Sequence, residues 1–293
     1  MSFALPEAGI TIKIVNENNN HLHEFSKQNH GVLNRREQSM SDHEAGHKFL
    51  ARLGKKRLRP GGRKVTEWLL SQAGFRQDSV VLEVACNMGT TTMEIARRFG
   101  CQVIGADMDK VALQKAQENV AANGLASQVT IMQANALELP FPDNHFDVVI
   151  NEAMLTMYAD KAKSRIIAEY YRVLKPGGRL ITHDIMLLSE KDTGALQAVE
   201  QMHKAINVHA QPMLRERWVT LFQECGFSKV SYDNGAMTLL TPQGLIYDEG
   251  VAGAARIVKN ALKKENRSMF FNMFHTFRRN RNQLNYIAVC STK

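Results

Sequence analysis

No run of about 18 apolar residues occurs anywhere in the 293-residue chain, which argues against a membrane-spanning helix. The opening Met-Ser-Phe-Ala-Leu-Pro-Glu lacks a basic start followed by an apolar stretch, so no secretory leader is expected. Cysteine is scarce: Cys86, Cys101, Cys225 and Cys290 are scattered without CxxC spacing. That excludes a disulfide framework and a cysteine-based zinc site, and predicts reduced thiols in a cytoplasmic setting. Internal repeats and low-complexity tracts are also missing. What remains is 44% hydrophobic residues, enough to bury a sizeable core.

Acidic residues are outnumbered, 29 against 37 Lys and Arg, and the surplus is unevenly placed. One basic cluster runs through Arg52, Lys55, Lys56, Arg57, Arg59, Arg63 and Lys64. A second covers Lys259, Lys263, Lys264, Arg267, Arg278, Arg279 and Arg281. A solvated face is the expected reading of both, with an anionic substrate, nucleic acid or an acidic membrane as alternatives. In the second cluster Phe270, Phe271, Phe274 and Phe277 recur at helical spacing, so a packed amphipathic helix explains them more simply than base stacking.

Residues 1–40 read as a polar arm and 41–75 as a helical lead-in, opened by a Ser41/Glu44 capping box. Strands near 79–84, 102–106, 128–132, 146–151 and 178–185 then alternate with helices near 90–99, 109–123 and 160–174. This rhythm predicts an α/β fold, a mostly parallel sheet with helices on both faces, spanning 76–241. Between a strand at Phe227–Tyr232 and another at Asn285–Cys290 lies an insert with two helices, near 250–264 and 266–281. Too long for a hairpin loop, 242–282 is expected to be a helical cap, with 283–293 returning as the final core strand.

Val-Val-Leu-Glu-Val-Ala-Cys-Asn-Met-Gly, from Val80 to Gly89, is a buried strand running into a small-residue turn, and Val103–Asp107 repeats the pattern. The Glu83–Asp107 spacing is that of a nucleotide-binding βαβ unit. Exposed N–H groups at the helix start after Gly89 can hold a carboxylate. Asp107 stands where it can accept from a ribose diol, and Asn135 offers an amide oxygen to an exocyclic amine. Each has a plainer reading as well: Glu83 capping its turn, Asp107 capping a helix, Asn135 making a turn.

Together with Asn135-Ala136 before Leu-Pro-Phe, Phe146-Asp147-Val-Val-Ile and Arg172-Val-Leu-Lys-Pro-Gly-Gly178, this ordered set resembles the class I S-adenosylmethionine-dependent methyltransferases, over about residues 60–235. The last stretch is similar to the small-molecule branch, which includes quinone, sterol and amine methyltransferases. The resemblance implies a Rossmann-like seven-stranded sheet closed by an antiparallel strand, with S-adenosyl-L-methionine as cofactor and a small-molecule acceptor as partner. It implies that Glu83, Ala85, Asn87 and Gly89 cradle the methionine part of the cofactor. Asp107 would bind the ribose, Met108 would pack on adenine, and Asn135 with Ala136 would read the adenine edge. Asn151 to Ala153 would face the sulfonium. Where the family commonly has three alternating glycines, this chain has Ala85, Asn87 and Gly89.

Methyl transfer is an in-line displacement that relies on positioning, and a base is needed only for a protonated acceptor. His183 and Asp184, at a strand end, are the candidate catalytic pair. The plainer reading, a strand-end pair that packs and hydrogen-bonds, outweighs it. Tyr158 is a candidate substrate contact, while Met202, His203, His209 and Met213 are assigned to packing. His43-Glu44-Ala45-Gly46-His47 matches H-E-x-x-H, but Gly46 weakens a helix there and no third ligand is signalled. RNA methylation is the alternative that the basic clusters motivate, although Asn151-Glu152-Ala153-Met154 differs from the Asn-Pro-Pro-Tyr type of motif for a flipped base. A non-catalytic cofactor-binding protein is the alternative that the altered turn motivates. Oligomeric state and the acceptor's identity are not readable.

Overall fold

The computed structural model describes residues 44–189 and 193–293. Ser41 and His43, and with them the capping box and half of the H-E-x-x-H match, lie outside the described residues.

Two helices come first, α1 (Gly46–Leu53) and α2 (Gly62–Ala73). Each ends on a left-handed glycine, Gly54 and Gly74, the residue that adopts this conformation without a Cβ clash. The alternating core follows as β1 (Val80–Val84), α3 (Thr90–Phe99), β2 (Gln102–Asp107), α4 (Lys110–Ala122), β3 (Val129–Gln133), β4 (Phe146–Glu152), α5 (Asp160–Val173) and β5 (Leu174–Leu187). Asp109 caps α4, accepting from the N–H groups of Val111 and Ala112. Next come α6 (Thr193–Ile206), the two-residue β6 (Met213–Leu214), α7 (Arg215–Glu224), β7 (Lys229–Ala236), α8 (Pro242–Ala261), α9 (Lys264–Arg279) and β8 (Leu284–Thr292).

The sheet order is β3-β2-β1-β4-β5-β8-β7, with β6 paired to β5. Strands β1 to β5 pair in parallel, and β8 inserts antiparallel between β5 and β7. Strand order reverses between β1 and β4, the position at which open α/β sheets leave a crevice at their carboxyl ends. One apolar core, around Phe146, Tyr170 and Trp218, covers one face of the sheet, and a second, around Leu69, Ile95 and Val103, covers the other. A third cluster joins Phe49, Leu50 and Leu53 of α1 to Ile257 of α8 and Phe270 and Met273 of α9.

An insert helix does open near 250, where Gly250 (φ 72°, ψ 169°) breaks α8, and a further helical run from Pro242 precedes it. One expectation is corrected. The 52–64 cluster is a solvated face only in part. Lys55 is fully buried with its Nζ 2.9 Å from Asp248, Arg57 reaches Glu94 at 2.9 Å, and buried Arg59 pairs with Glu152. Only Arg52, Lys56, Arg63 and Lys64 of that cluster are exposed. The segment between α1 and α2 is an internal strap whose cations meet carboxylates far away in sequence.

Candidate active site

A cavity of about 440 Å³ opens at the carboxyl ends of β1, β2 and β4. Strand ends supply one part of its wall, with Val84, Ala85, Asn87, Asp107 and Met108. Helices α1, α6 and α9 supply another, with Leu50, Ile206, Met273 and Phe277.

The turn after β1 keeps its shape without three glycines. Ala85 (φ 60°), Asn87 (φ 49°) and Gly89 (φ 74°) all stand in the left-handed region, one residue apart. Asn tolerates this well, whereas an Ala there is strained by roughly 1–2 kcal/mol. The strain is held by backbone bonds from Cys86 N–H to Ala106 O (3.1 Å) and from Gly89 N–H to Cys86 O (2.9 Å). The Asn87 N–H donates to Asp107 Oδ2 at 2.9 Å, so the turn and the end of β2 fix each other. Asp107 Oδ1 accepts from the Asp109 N–H at 2.9 Å. Each carboxylate oxygen retains a lone pair for a ligand in the cavity.

Glu152, at the end of β4, is the hub of a buried polar network. It accepts from Arg59, from Thr66 Oγ1 at 2.8 Å and from Thr91 Oγ1 at 3.1 Å. Burial opposes its charge, yet Arg59 and His183 hold its carboxyl down at about 2. Glu83 lies nearby, bonded by the Thr92 hydroxyl, and burial pushes it up to about 8. Two carboxyl groups on neighbouring strands are thus driven apart, one ionised and one protonated at neutral pH.

The candidate residues separate by what already engages each of them. Of His183 and Asp184, only Asp184 lines the cavity. Fully buried His183 accepts from the Gly61 N–H at Nε2 (3.0 Å), which leaves its proton on Nδ1, 3.2 Å from Glu152 Oε1. Both ring nitrogens are engaged, so His183 orients Glu152 and presents no free atom to a substrate. Asp184 accepts from the Thr156 and Ile185 N–H groups at 3.1 and 2.8 Å and from the Thr156 hydroxyl, and burial raises its pKa. Asn151 is buried, its side-chain amide has no hydrogen-bond partner within the usual distance limits among the described residues, and it does not line the cavity; its neighbours Glu152 and Ala153 do. Asn135 is exposed and does not line the cavity. Its amide oxygen accepts from the Leu137 N–H at 3.0 Å, closing a local turn, and Ala134 and Ala136 meet the cavity instead. Glu83 borders a smaller adjoining hollow, and Gly89 starts α3 behind the main wall.

Sequence reasoning missed Glu152 as a hub and His47 as a wall residue. His47 lines the cavity with Asp107, and its buried Nδ1 has no partner among the described residues. Burial, then the charge of Lys48, lowers its pKa. Nothing local to α1 signals this, because what brings His47 there is packing: a Cβ on Gly46 would stand 3.0 Å from the Ile206 Cα. Tyr158, proposed as a substrate contact, does line the cavity.

Residues 81–178 match the family model described as a methyltransferase domain. A Haemophilus influenzae protein described as uncharacterized is 54% identical over 87% of this chain and all of its own length. The ubiquinone/menaquinone biosynthesis C-methyltransferase of Proteus mirabilis is 30% identical over 57% of this chain and 73% of its own. The solved geranyl diphosphate C-methyltransferase of Streptomyces coelicolor, complexed with Mg2+, geranyl diphosphate and S-adenosyl-L-homocysteine, shares the fold with a TM-score of 0.59. It is 16% identical and covers 77% of each chain.

Proposed function

The chain belongs to the class I S-adenosylmethionine-dependent methyltransferases, and from that premise we propose that it methylates carbon on a small, apolar, uncharged acceptor. The observation that carries this reading is the charge of the cavity wall. Four carboxyl-bearing residues, Asp107, Asp109, Glu152 and Asp184, line it, and no Lys or Arg does among the described residues. Arg59 offsets Glu152 and Lys48 pairs with Asp109 from outside the wall, so what the wall lacks among the described residues is a cation of its own to receive an anionic acceptor. Most of the remainder is apolar, with Leu, Ile, Val, Met, Ala and Phe, which suits an apolar molecule. The named function of the Proteus mirabilis relative supports carbon as the methylated atom.

The residues fit the cofactor. The left-handed turn at Ala85, Asn87 and Gly89 offers backbone to its methionine part, and the free lone pairs of Asp107 suit the ribose diol. His47 Nδ1, buried without a partner, gains one when the nucleoside is present. Met108 and Ala136 line the cavity where they would flank the adenine, and Ala153 and Glu152 where they would face the sulfonium. When bound, the cofactor supplies a methyl group on a positively charged sulfur that departs as a thioether. The chain's own residues hold and orient the two partners and keep water out, which is where an in-line displacement gains most. A carbon acceptor also sheds a proton. Asp184 is assigned to take it, a cavity-wall carboxyl whose pKa burial raises. His183 acts through Glu152 as a positioning residue.

Labelled methyl transfer to a panel of apolar acceptors, each paired with its phosphorylated counterpart, tests the reading. Label on carbon of the uncharged members is expected, and transfer confined to the phosphorylated ones overturns it. RNA methylation loses part of its first motive, since Lys55, Arg57 and Arg59 of the 52–64 cluster are spent on internal carboxylates.

A further inference from the structure

Six of the twelve large apolar side chains exposed among the described residues fall between Ile246 and Phe271. Val251, Val258 and Leu262, 74, 43 and 59% exposed, are seven and four residues apart and so share one side of the helix at and just beyond the end of α8. Ala254, Ile257 and Ala261 take the buried side. A helix apolar on both sides has a second apolar partner to meet. Phe271, 40% exposed, adds to this surface from α9.

The same stretch holds the densest unpaired positive charge. Residues 242–282 carry eight Lys and Arg against three acids. Asp248 and Glu249 are already taken by Lys55, which leaves Glu265 as the one exposed acid. None of the eight cations is ion-paired among the described residues, and Lys259, Lys263, Lys264 and Arg267 are all exposed beside Val258 and Leu262. Aliphatic side chains set among lysines suit the headgroup region of an anionic bilayer, where the chains insert and the ammonium groups meet lipid phosphates. A nucleic-acid surface calls instead for aromatic platforms, and here the exposed apolar groups are chiefly aliphatic.

We propose that the outer face of α8 and α9 docks on an anionic lipid bilayer. The inner face of α9 contributes Met273 and Phe277 to the cavity, so one pair of helices touches both the bilayer and the acceptor. The inference rests on the apolar-acceptor reading for its purpose, though not for its test.

Co-sedimentation of the full chain with vesicles of phosphatidylcholine, alone or with about one part in three phosphatidylglycerol, decides it. Wild type is expected to partition at least about tenfold more strongly onto the anionic vesicles, and to be released by salt. Two variants, Val258→Ser/Leu262→Ser and Lys259→Glu/Lys263→Glu/Arg267→Glu, should each lower partitioning by about tenfold or more while leaving S-adenosylhomocysteine affinity unchanged. Equal partitioning onto both vesicle types overturns the proposal, as does an apolar variant that still binds. Tighter binding to an RNA oligomer, untouched by the Val258/Leu262 change, marks a nucleic-acid surface instead. Self-association in vesicle-free solution that Leu262→Ser abolishes marks a contact between copies. Vesicle binding without methyl transfer to any apolar acceptor removes the acceptor reading and leaves the docking surface standing.

Discussion

Two stretches of this chain, 52–64 and 256–281, look alike on paper, each a run of Lys and Arg interrupted by apolar residues. Their fates are opposite. The first is threaded through the interior, where Lys55, Arg57 and Arg59 neutralise Asp248, Glu94 and Glu152. The second stays exposed and meets no carboxylate among the described residues. Charge density along a sequence therefore says little about the field a protein projects; what matters is whether distant acids fold onto it. In this chain those acids sit on α3, α8 and β4, up to 193 residues away.

The sharpest way to break this contrast is to delete one cation from each stretch. Arg59→Ala leaves Glu152 buried and unpaired, and should lower stability by about 3–5 kcal/mol. Lys263→Ala should change it by less than about 0.5 kcal/mol. Urea midpoints at constant m-value measure both, and equal losses would erase the distinction.

A second test asks whether the interior network serves the cavity that the exposed stretch leaves alone. Asp107→Ala should weaken S-adenosylhomocysteine binding by about 1–3 kcal/mol in calorimetry, because it strands the Asn87 and Asp109 N–H groups and removes the diol acceptor. Arg278→Ala, on the exposed stretch, should leave the dissociation constant where it was.

Third, the interior network should carry a pH signature that surface lysines lack. Glu83 has a folded-state value of about 8 against an ordinary 4.5, so between those values the folded state holds a proton that the unfolded state has lost. Its contribution is therefore full below about 4.5 and fades as pH rises toward 8. Glu152 runs the other way, its contribution present above 4.5 and fading as pH falls toward 2. Glu83→Gln should flatten the decline between pH 5 and 8, gaining about 1–2 kcal/mol relative to wild type at the alkaline end. Parallel melting curves for the two proteins across that range would refute the burial account of Glu83.

The smallest effect concerns strain stored in the turn. Ala85→Gly should stabilise by about 0.5–1 kcal/mol, since the left-handed φ of 60° no longer opposes a Cβ, with cofactor affinity little changed. Destabilisation would mean that the Ala85 methyl is needed for packing against the core it borders.

Most of the core was legible because its signals are local. The apolar runs at Val80–Val84 and Phe146–Ile150 and the small-residue turn before Thr90 each act within a few residues, and each appears where expected. The antiparallel final strand also appears, pairing with β5 and β7. The insert was harder: a glycine inside α8 reads like a boundary, yet Leu245, Ala254 and Ile257 on both sides of the kink share one buried cluster. His47 was visible only as part of a metal-binding pattern, and packing against Ile206 gives it a different place.

What the sequence determined by itself is the order of strands and helices, the left-handed turn, and the carboxylate at the tip of β2, all consequences of side-chain periodicity and nearest-neighbour sterics. Tertiary structure alone decided between neighbours: Glu152 over Asn151, Asp184 over His183, Ala136 over Asn135 as the groups that meet the cavity. Register makes Glu152 and His183 partners on one face, so what separates them is what packs over each: the Gly61 N–H closes off the His183 ring, while Glu152 reaches the cavity wall. Tertiary structure likewise decided that one basic stretch is internal, because ion pairing depends on separation in space and no local rule contains that distance.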